Sequence, residues 1–257
     1  MTTNTYAVEG RTVIITGAGS GMGREIARGF LDNGARVVAA GRRLEPLEET
    51  ISGAAPERAV AITADVSDRG SVDRLVAETV GHFGGIDVIV SNAAIYIGGE
   101  LADLPEDQWR SEFAVNVDGL YHLVAAASDH LVASKGSVTA ISSVSGLAGD
   151  WGQAAYNASK HAVNGLIRSL ALDYGDRGVR FNAVAPAFTA TDMTSGIWKD
   201  EDNLGPFLNR IALGRVGRPG DVVGPVLFLS TDDASYITGS ILTVDGGTSA
   251  STGQPHA

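Results

Sequence analysis

Short apolar segments alternate along the chain with longer segments whose apolar residues recur at helical spacing. The short segments are continuously apolar and rich in β-branched residues, so they predict strands. These strands cover residues 12–16, 36–40, 59–63, 86–91, 136–142, 179–185 and 240–247. Strands of this kind are typical of parallel sheets, in which helices bury both faces.

The longer segments predict the helices that connect these strands. One helix follows the fifth strand, and the others cover residues 21–33, 44–52, 68–83 and 105–132. Repeated strand–helix units predict an α/β fold with a parallel sheet wound on both faces. No repeat, low-complexity run or linker interrupts the pattern, so we expect residues 1–257 to form one domain. Residues 188–218 are polar and irregular, as is typical of a substrate lid.

Composition places the chain among ordinary globular proteins, since 44% of its 257 residues are hydrophobic and 19% are charged. Its net charge of −11 argues against nucleic-acid binding and disfavours docking to an acidic carrier protein. The absence of cysteine excludes disulfides and thiolate chemistry. The five histidines are scattered, so we expect no metal site. The chain has no membrane-spanning apolar run and no signal-peptide pattern at its start, so we expect a cytoplasmic protein that binds no membrane.

A glycine motif, TGAGSGMG at 16–23, joins the first strand to the first helix. Its glycines Gly17, Gly21 and Gly23 follow a G-x-x-x-G-x-G spacing. Glycine permits a tight turn and a close backbone approach, and the free N–H groups at a helix N-terminus attract a pyrophosphate. The motif therefore indicates a dinucleotide site, and the alternative is a tight turn that binds nothing.

The end of the second strand predicts which dinucleotide binds. An acidic residue there would contact the 2′-hydroxyl of NAD, whereas a basic residue suits the 2′-phosphate of NADP. Gly41 stands in place of the acid, and Arg42 and Arg43 follow. An arginine fork suits a phosphate, so Arg42 favours NADP(H) over NAD(H); the alternative is that these arginines are solvated helix-start charges. After the third strand, Asp65 and Val66 would meet the adenine, unless Asp65 caps the next helix.

Tyr156 and Lys160 lie four residues apart in the segment WGQAAYNASKHAV. This spacing places the phenol and the ammonium one above the other on one helix face. Taken alone, such a pair is an ordinary feature of exposed helices, and it indicates catalysis only in combination with the rest of the chain.

The glycine motif TGAGSGMG, Asn116 and four further segments together resemble the short-chain dehydrogenase/reductase family. They are SNAA at 91–94, the serine-rich ISSVSG, YNASK, and NAVAPAFTATDM after the sixth strand. The resemblance extends from Thr16 to the closing DGG. It implies a single-domain Rossmann fold with a doubly wound seven-stranded parallel sheet and helices on both faces. It also implies an NAD(P)(H)-dependent oxidoreductase that interconverts a secondary alcohol and a ketone.

The resemblance assigns catalytic roles to Asn116, Ser143, Tyr156 and Lys160. Tyr156 would exchange the proton of the alcohol, while Lys160 lowers the pKa of Tyr156 and holds the nicotinamide ribose. The family has a serine thirteen residues before the tyrosine, which selects Ser143 over two neighbouring serines to bind the carbonyl oxygen. Asn116 would hold a water that connects Lys160 with solvent.

The resemblance also implies a set of cofactor contacts. They are Gly17, Ser20, Gly21, Met22, Gly23, Arg42, Asp65, Val66, Asn92, Ala93, Tyr156, Lys160, Pro186, Thr189 and Thr191. Two positions depart from the family pattern, because Ala94 and Ala187 stand where glycine is usual. Neither is a reacting group, so we expect altered loop shape rather than lost activity.

Within this family, the C-terminal half is similar to acetoin reductases and meso-2,3-butanediol dehydrogenases, through VSGLAGDWG, IALGR, DDASYITG and VDGGTSASTGQP. This similarity implies a small acyloin or vicinal diol as the substrate. The alternatives are a 3-oxoacyl (acyl-carrier-protein or CoA) reductase and, from a different class, a non-catalytic dinucleotide-binding sensor. Members of this kind generally carry an acid after the second strand, and Arg42 departs from that pattern.

The resemblance further implies a homotetramer, since the family commonly assembles through its two long helices and its last strand. Residues 249–257 extend past that strand. We expect them to pack against a neighbouring subunit.

Overall fold

Seven strands pair in parallel and form one sheet. The computed structural model describes residues 5–252, except for the side chains of residues 201–203. The strands are β1 Thr12–Thr16, β2 Arg36–Gly41, β3 Ala59–Thr63, β4 Val88–Ser91, β5 Ser137–Ile141, β6 Arg180–Pro186 and β7 Ile241–Val244. Their order in the sheet is β3-β2-β1-β4-β5-β6-β7. The prediction of a seven-stranded parallel sheet is confirmed.

Helices cover both faces of this sheet. They are α1 Gly21–Asp32, α2 Leu44–Thr50, α3 Arg69–Phe83, α4 Glu106–Phe113, α5 Gly119–Ser134, α6 Ala154–Tyr174, α7 Ser195–Trp198, α8 Glu201–Leu208 and α9 Val223–Leu229. On one face α1 packs against α9, and on the other α3, α5 and α6 cover the strands. Within the described residues, no helix is long and apolar enough to cross a membrane.

Alternate residues of the central strand β1 enter two separate cores. Val13 and Ile15 belong to the core that α1 and α9 cover, whereas Ile14 belongs to the core beneath α3, α5 and α6. None of the three side chains is exposed. Burial on both faces explains why the strands are continuously apolar and do not alternate with polar residues.

The strand order reverses between β1 and β4, which are neighbours in the sheet although β2 and β3 separate them in the chain. The chain leaves these two strands toward opposite sides, so a crevice opens beyond their carboxyl ends. Thr16 ends β1 and Ser91 ends β4. Open parallel sheets bind their ligands at this position.

The structure differs from the sequence prediction in three places. The predicted helix over 105–132 contains a π-helical turn, Ala114–Asp118, between α4 and α5. Residues 188–218, predicted to be irregular, include α7 and α8, whose glycines and internal proline weaken the helical pattern. No helix is predicted at α9, because a Gly-Pro pair in its first turn resembles a turn signal.

Past the sheet, the chain turns sharply. The last predicted strand extends three residues too far at its end and one at its start, since β7 covers Ile241–Val244. The Asp245 carboxylate accepts the N–H groups of Gly247 and Ser249. Residues 249–252 continue from this turn. The remainder of the predicted subunit contact, residues 253–257, lies outside the described residues.

Candidate active site

The glycine loop packs more tightly than any larger residue would allow. Gly17 and Gly21 have φ angles of +65° and +52°, which favour glycine. A Cβ on Gly17 would lie 2.8 Å from the amide nitrogen of Asn92, and one on Gly23 would overlap the Gly17 carbonyl oxygen. The three glycines therefore let the chain fold back against the start of α1.

Asn92 ties this loop to β4. Its amide nitrogen donates to the carbonyl oxygens of Thr16 at 2.9 Å and Gly17 at 3.3 Å. The Thr16 hydroxyl in turn accepts the backbone N–H groups of Asn92 and Ala93, both at 3.1 Å. Asn92 thus connects the glycine loop after β1 with the carboxyl end of β4.

A cavity of about 280 Å³ opens beyond these strand ends. It brings together most of the predicted cofactor contacts, namely Gly17, Ser20, Gly21, Met22, Arg42, Asp65, Val66, Asn92, Ala93, Tyr156, Lys160 and Thr191. Gly23 packs beneath the loop, while Pro186 ends β6 and does not line the cavity. Thr189 lines a separate cavity of about 130 Å³.

The N-terminus of α1 faces this cavity without a cap of its own. Ser20 is the N-cap residue, yet its side chain makes no capping hydrogen bond, and the first turn of α1 holds no acidic residue. An uncapped helix N-terminus with free N–H groups suits a phosphate. The glycine cradle and this helix end together fit the pyrophosphate of a dinucleotide.

At one end of the cavity, Arg42 and Arg43 are exposed. Asp65 lies nearby, and the Ser67 hydroxyl and the Arg42 charge help to hold the pKa of Asp65 below its usual value against the effect of burial. The Asp65 carboxylate accepts both the N–H and the hydroxyl of Ser67. Asp68, rather than Asp65, caps α3, so the alternative role for Asp65 is wrong.

Helix α6 presents Tyr156 and Lys160 at the other end. The ammonium of Lys160 lies 5.5 Å from the centre of the Tyr156 ring and donates to the carbonyl oxygen of Ile141 at 2.9 Å. Lys160 is buried and Tyr156 half-buried. Tyr96 stacks edge-on against Tyr156 with 5.4 Å between ring centres.

A short turn, Val144–Gly146, places Ser143 beside this pair. A Cβ on Gly146 would lie 2.7 Å from both the Lys160 carbonyl oxygen and the Asn164 amide nitrogen. Asn164 donates to the Gly146 carbonyl oxygen at 2.8 Å, which fixes the turn on α6. The turn that follows Ser143 is therefore packed directly against α6, which carries Tyr156 and Lys160.

The three serines of this segment differ in their hydrogen bonds. The Ser143 oxygen accepts the Ser145 N–H at 3.1 Å, and the Ser145 hydroxyl donates to Asp150 at 2.6 Å. Ser142 lines the cavity, and its buried hydroxyl has no hydrogen-bond partner among the described residues. The hydroxyl of Ser145 is thus occupied by a hydrogen bond within the loop. This agrees with the family pattern, which selects Ser143 rather than Ser145.

Burial dominates the ionisation of the Tyr–Lys pair. It raises the pKa of Tyr156 to about 12, opposed by hydrogen bonding to Ser143. It lowers the pKa of Lys160 to about 8. Burial is thus the largest influence on the Tyr156 pKa, and the expectation that Lys160 lowers this pKa stays a prediction.

Asn116 lies in the π-helical turn and is buried. Its amide nitrogen donates to the Ile95 carbonyl oxygen at 3.0 Å and to the Ser159 hydroxyl at 3.1 Å, and its oxygen accepts the Ile95 N–H at 2.9 Å. Both amide hydrogens are thus used to hold the segment after β4 against α6. The water contact expected of Asn116 stays a prediction.

Comparisons with known proteins agree with this geometry. A family model described as enoyl-(acyl carrier protein) reductase matches residues 17–249. The meso-2,3-butanediol dehydrogenase of Serratia marcescens is 42% identical over 96% of this chain and 98% of its own length. The chain belongs to the short-chain dehydrogenase/reductase family.

Two solved structures of similar proteins contain a nicotinamide dinucleotide. One, from Beutenbergia cavernae, is described as an NAD(P)-dependent gluconate 5-dehydrogenase with NADP at low occupancy; it is 37% identical, with a TM-score of 0.89 over 96% of this chain and 100% of its own. The other, a 3-ketoacyl-(acyl-carrier-protein) reductase from Brucella melitensis with NADH, is 29% identical, with a TM-score of 0.88 over 95% and 100%. This short-chain dehydrogenase/reductase is accordingly an NAD(P)-dependent oxidoreductase.

The two departures from the family pattern cause no backbone strain. Within residues 5–252, Lys135 is the one non-glycine residue with a positive φ, so neither Ala94 nor Ala187 adopts a conformation that requires glycine. The chain at these two positions simply takes the conformations open to alanine.

Sequence reasoning missed two carboxyl groups near the Tyr–Lys pair of this short-chain dehydrogenase/reductase. Asp150 accepts from Ser145, and Glu112 of α4 is fully buried. Both groups raise the pKa of Tyr156, after the larger effect of burial. One signal was present for Glu112, because it lies four residues before Asn116 and so on the same helix face.

Proposed function

We propose that this enzyme interconverts a small acyloin and the related vicinal diol or diketone, such as acetoin and 2,3-butanediol, with NADP(H). The observation that carries the reaction type is the pair of Tyr156 and Lys160 at one end of the dinucleotide-sized crevice, with Ser143 hydrogen-bonded to Tyr156. The substrate class is supported by similarity over nearly the whole chain to a meso-2,3-butanediol dehydrogenase.

Tyr156 exchanges the proton of the substrate oxygen in this proposal. Its phenolate takes the hydroxyl proton when the alcohol is oxidised, and its phenol returns a proton when the ketone is reduced. Ser143 donates a hydrogen bond to the same oxygen and stabilises the charge that develops there. The bound dinucleotide supplies or takes the hydride.

A phenolate at Tyr156 needs compensating positive charge, because burial raises its pKa to about 12. Lys160 supplies part of that charge from the same helix face, and the oxidised nicotinamide ring is itself cationic. Lys160 would also hold the nicotinamide ribose. Asn116 keeps the segment after β4 in place beside α6.

The charges around the phenol support a neutral substrate. Asp150 and Glu112 both make the surroundings of Tyr156 more negative. An anionic substrate would meet repulsion here, whereas a diol or acyloin would not. Tyr96, stacked against Tyr156, adds an apolar wall that suits a small carbon chain.

The preference for NADP(H) is supported by Arg42 and Arg43. Both are exposed at the cavity, and neither makes an ion pair with any residue in the described part of the chain. Their guanidinium groups are therefore available for a 2′-phosphate. Gly41 stands at the end of β2 in place of the acidic residue that would bind a ribose 2′-hydroxyl.

Initial rates with acetoin and diacetyl, each with NADPH and with NADH, test both parts of the proposal. We expect faster turnover with NADPH, and Arg42→Ala should raise the KM for NADPH about tenfold with little effect on that for NADH. Arg74→Ala, an exposed arginine of α3 outside the cavity, is the matched control. Faster turnover with NADH would overturn the cofactor preference, and no turnover with either would overturn the substrate class.

A 3-oxoacyl reductase is the second candidate, because the NADH-bound structure described above carries that activity in its name. The net charge of −11 counts against docking of an acidic carrier protein. Turnover of a 3-oxoacyl thioester that exceeds turnover of acetoin would favour this candidate. A non-catalytic sensor would have no need for Tyr156, Lys160 and Ser143 in one cluster.

We also propose a homotetramer in the cytoplasm. Large apolar side chains are exposed on the elements that the family commonly uses for assembly, including Leu172 of α6 and Tyr121 of α5.

The predicted lid at 188–218 borders the cavity through Asp192 and Met193, which is where a lid would close.

A further inference from the structure

The carboxyl group of Glu112 lies in the interior between α4 and the segment after β4. Its side chain has no exposed surface. One oxygen accepts the Ile97 N–H at 3.3 Å, and the other has no hydrogen-bond partner among the described residues. A buried carboxyl with an unsatisfied oxygen is costly, so its presence calls for an explanation beyond packing.

The fold places Glu112 behind the Tyr–Lys pair. Glu112 lies one helical turn before Asn116, and α4 packs against α6, which carries Tyr156 and Lys160. Lys160 is the cation that acts on Glu112, and Glu112 in turn acts on Tyr156 and Tyr96, as does Asp150.

The remaining charges on α4 do not reach this interior position. Glu106 and Arg110 form an ion pair on the exposed face of α4. Among the ion pairs of the described residues, none joins Glu112 to Lys160 within 4.0 Å. A proton that passes between these two groups therefore needs a bridging water. Glu112 is therefore the buried charge of α4, the helix that packs against the one carrying the reacting pair.

We propose that Glu112 exchanges protons with Lys160 through one water and so resets Tyr156 after each turnover. The inference rests on the proposed reaction at Tyr156. In alcohol oxidation, the substrate proton passes to the phenolate, the Lys160 ammonium passes a proton to the Glu112 carboxylate, and Lys160 recovers one from Tyr156. Glu112 then releases its proton to solvent before the next turnover, so that one proton leaves the enzyme for each alcohol oxidised. Reduction runs the same transfers backwards, with Glu112 as the donor. Glu112 acts through Lys160 and does not touch the substrate, so it is a positioning residue.

The ionisation of the two groups is compatible with this exchange. Burial raises the pKa of Glu112 to about 7, opposed by the Ile97 hydrogen bond and by Lys160. Burial lowers the pKa of Lys160 to about 8. The two groups therefore hold a proton with similar strength, which permits transfer in either direction.

The test is the pH profile of kcat for alcohol oxidation in Glu112→Gln, which keeps an oxygen for the Ile97 N–H but does not titrate. In the unaltered enzyme, we expect kcat to fall as the pH drops through about 7, because the carboxylate that accepts the proton becomes protonated. Glu112→Gln should lose this inflection and about tenfold in kcat, with KM changed less than about twofold. Glu106→Gln, on the exposed face of α4, should leave the profile unchanged.

Two results would overturn the proposal: an unchanged inflection in Glu112→Gln, or a loss of kcat that is uniform across the pH range. If that variant does not fold, Glu112→Asp must shift the inflection, and an unshifted one overturns the proposal as well. Any secondary alcohol that the enzyme oxidises serves, so failure of the butanediol assignment does not affect the result.

A second measurement needs no substrate. The pH titration of the Glu112 carboxyl carbon, followed by NMR, should move upward in Lys160→Met, since the opposing cation is removed. An unchanged titration would show that the two groups are not coupled, and the relay would then be wrong even in an active enzyme.

Discussion

In the proposed reaction, Tyr156 must lose its proton at a position that resists negative charge. Its pKa is raised to about 12 by burial, and the carboxyl groups of Glu112 and Asp150 act in the same direction. Positive charge from Lys160 and from the oxidised cofactor must overcome these effects. The phenol of Tyr156 therefore stays protonated until the dinucleotide binds. Its ionisation thus depends on the oxidation state of the bound cofactor.

Tyr156→Phe removes the hydroxyl but keeps the ring that packs edge-on against Tyr96. We expect kcat to fall by about 10²–10⁴-fold, because the substrate oxygen loses its proton donor. Dinucleotide affinity, measured by fluorescence titration, should change little. Tyr121→Phe, an exposed tyrosine of α5, is the control. Near-normal turnover in Tyr156→Phe would refute the assigned role.

Gly146 is the residue at which the serine turn contacts α6. A Cβ there would lie 2.7 Å from the Lys160 carbonyl oxygen, so Gly146→Ala should force the turn away from the helix. We expect a loss of about 1–3 kcal/mol in the free energy of unfolding, measured with urea, together with reduced kcat. Gly149→Ala is the matched control, because a Cβ at that position meets nothing within 4 Å. Equal stability of the two variants would contradict this account of the turn.

At the level of elements, the sheet is readable from the sequence because its inner strands are buried on both faces and are therefore largely apolar. β1 and β5, for example, are buried at every residue. The crevice follows from the β–α order, since the reversal between β1 and β4 is typical of doubly wound sheets. The glycine motif then marks which connection faces that crevice.

Other elements could not be predicted because their cause is tertiary. The π-helical turn Ala114–Asp118 contains no residue type that requires it, and it is stabilised by the bonds of Asn116 to Ile95 and Ser159. The burial of Glu112 is likewise invisible locally, since a glutamate on an amphipathic helix is ordinarily solvated. The sequence therefore predicts Tyr156 and Lys160, the groups proposed to react, but not the buried carboxyl group of Glu112.

The stability of the whole molecule should depend on pH through Glu112. The pKa of Glu112 in the fold, about 7, lies above its ordinary value of 4.5, so the fold retains a proton that the unfolded chain has released. This contribution is present below the unfolded pKa and is lost as the pH rises through about 7. Glu112→Gln should therefore stabilise the fold by about 1–3 kcal/mol at pH 8 relative to pH 5, measured by urea unfolding at both pH values. Glu106→Gln should show no such difference, and a pH-independent effect of Glu112→Gln would contradict the assignment.

Assembly is the second property of the whole molecule that the surface predicts. Leu172 is 84% exposed on α6, a large apolar side chain that an assembled subunit would cover. Leu172→Glu should reduce the mass found by light scattering after size exclusion, because a charge would then be buried between subunits. Leu101→Glu, on an exposed turn that belongs to neither α5 nor α6, should keep the mass of the parent chain. An unchanged mass in Leu172→Glu would exclude α6 from the contact.

The π-helical turn between α4 and α5 has a consequence for how this chain tolerates insertions and deletions. A π turn accommodates one residue more than an α turn, so a single deletion within Ala114–Asp118 would leave a regular helix. The same deletion would rotate α4 about 100° around the helix axis relative to α5 and carry Glu112 away from α6. The number of residues in this turn is therefore more tightly constrained than the identity of their side chains. A shortened segment would remain helical, but α4 would no longer have its present orientation relative to α5.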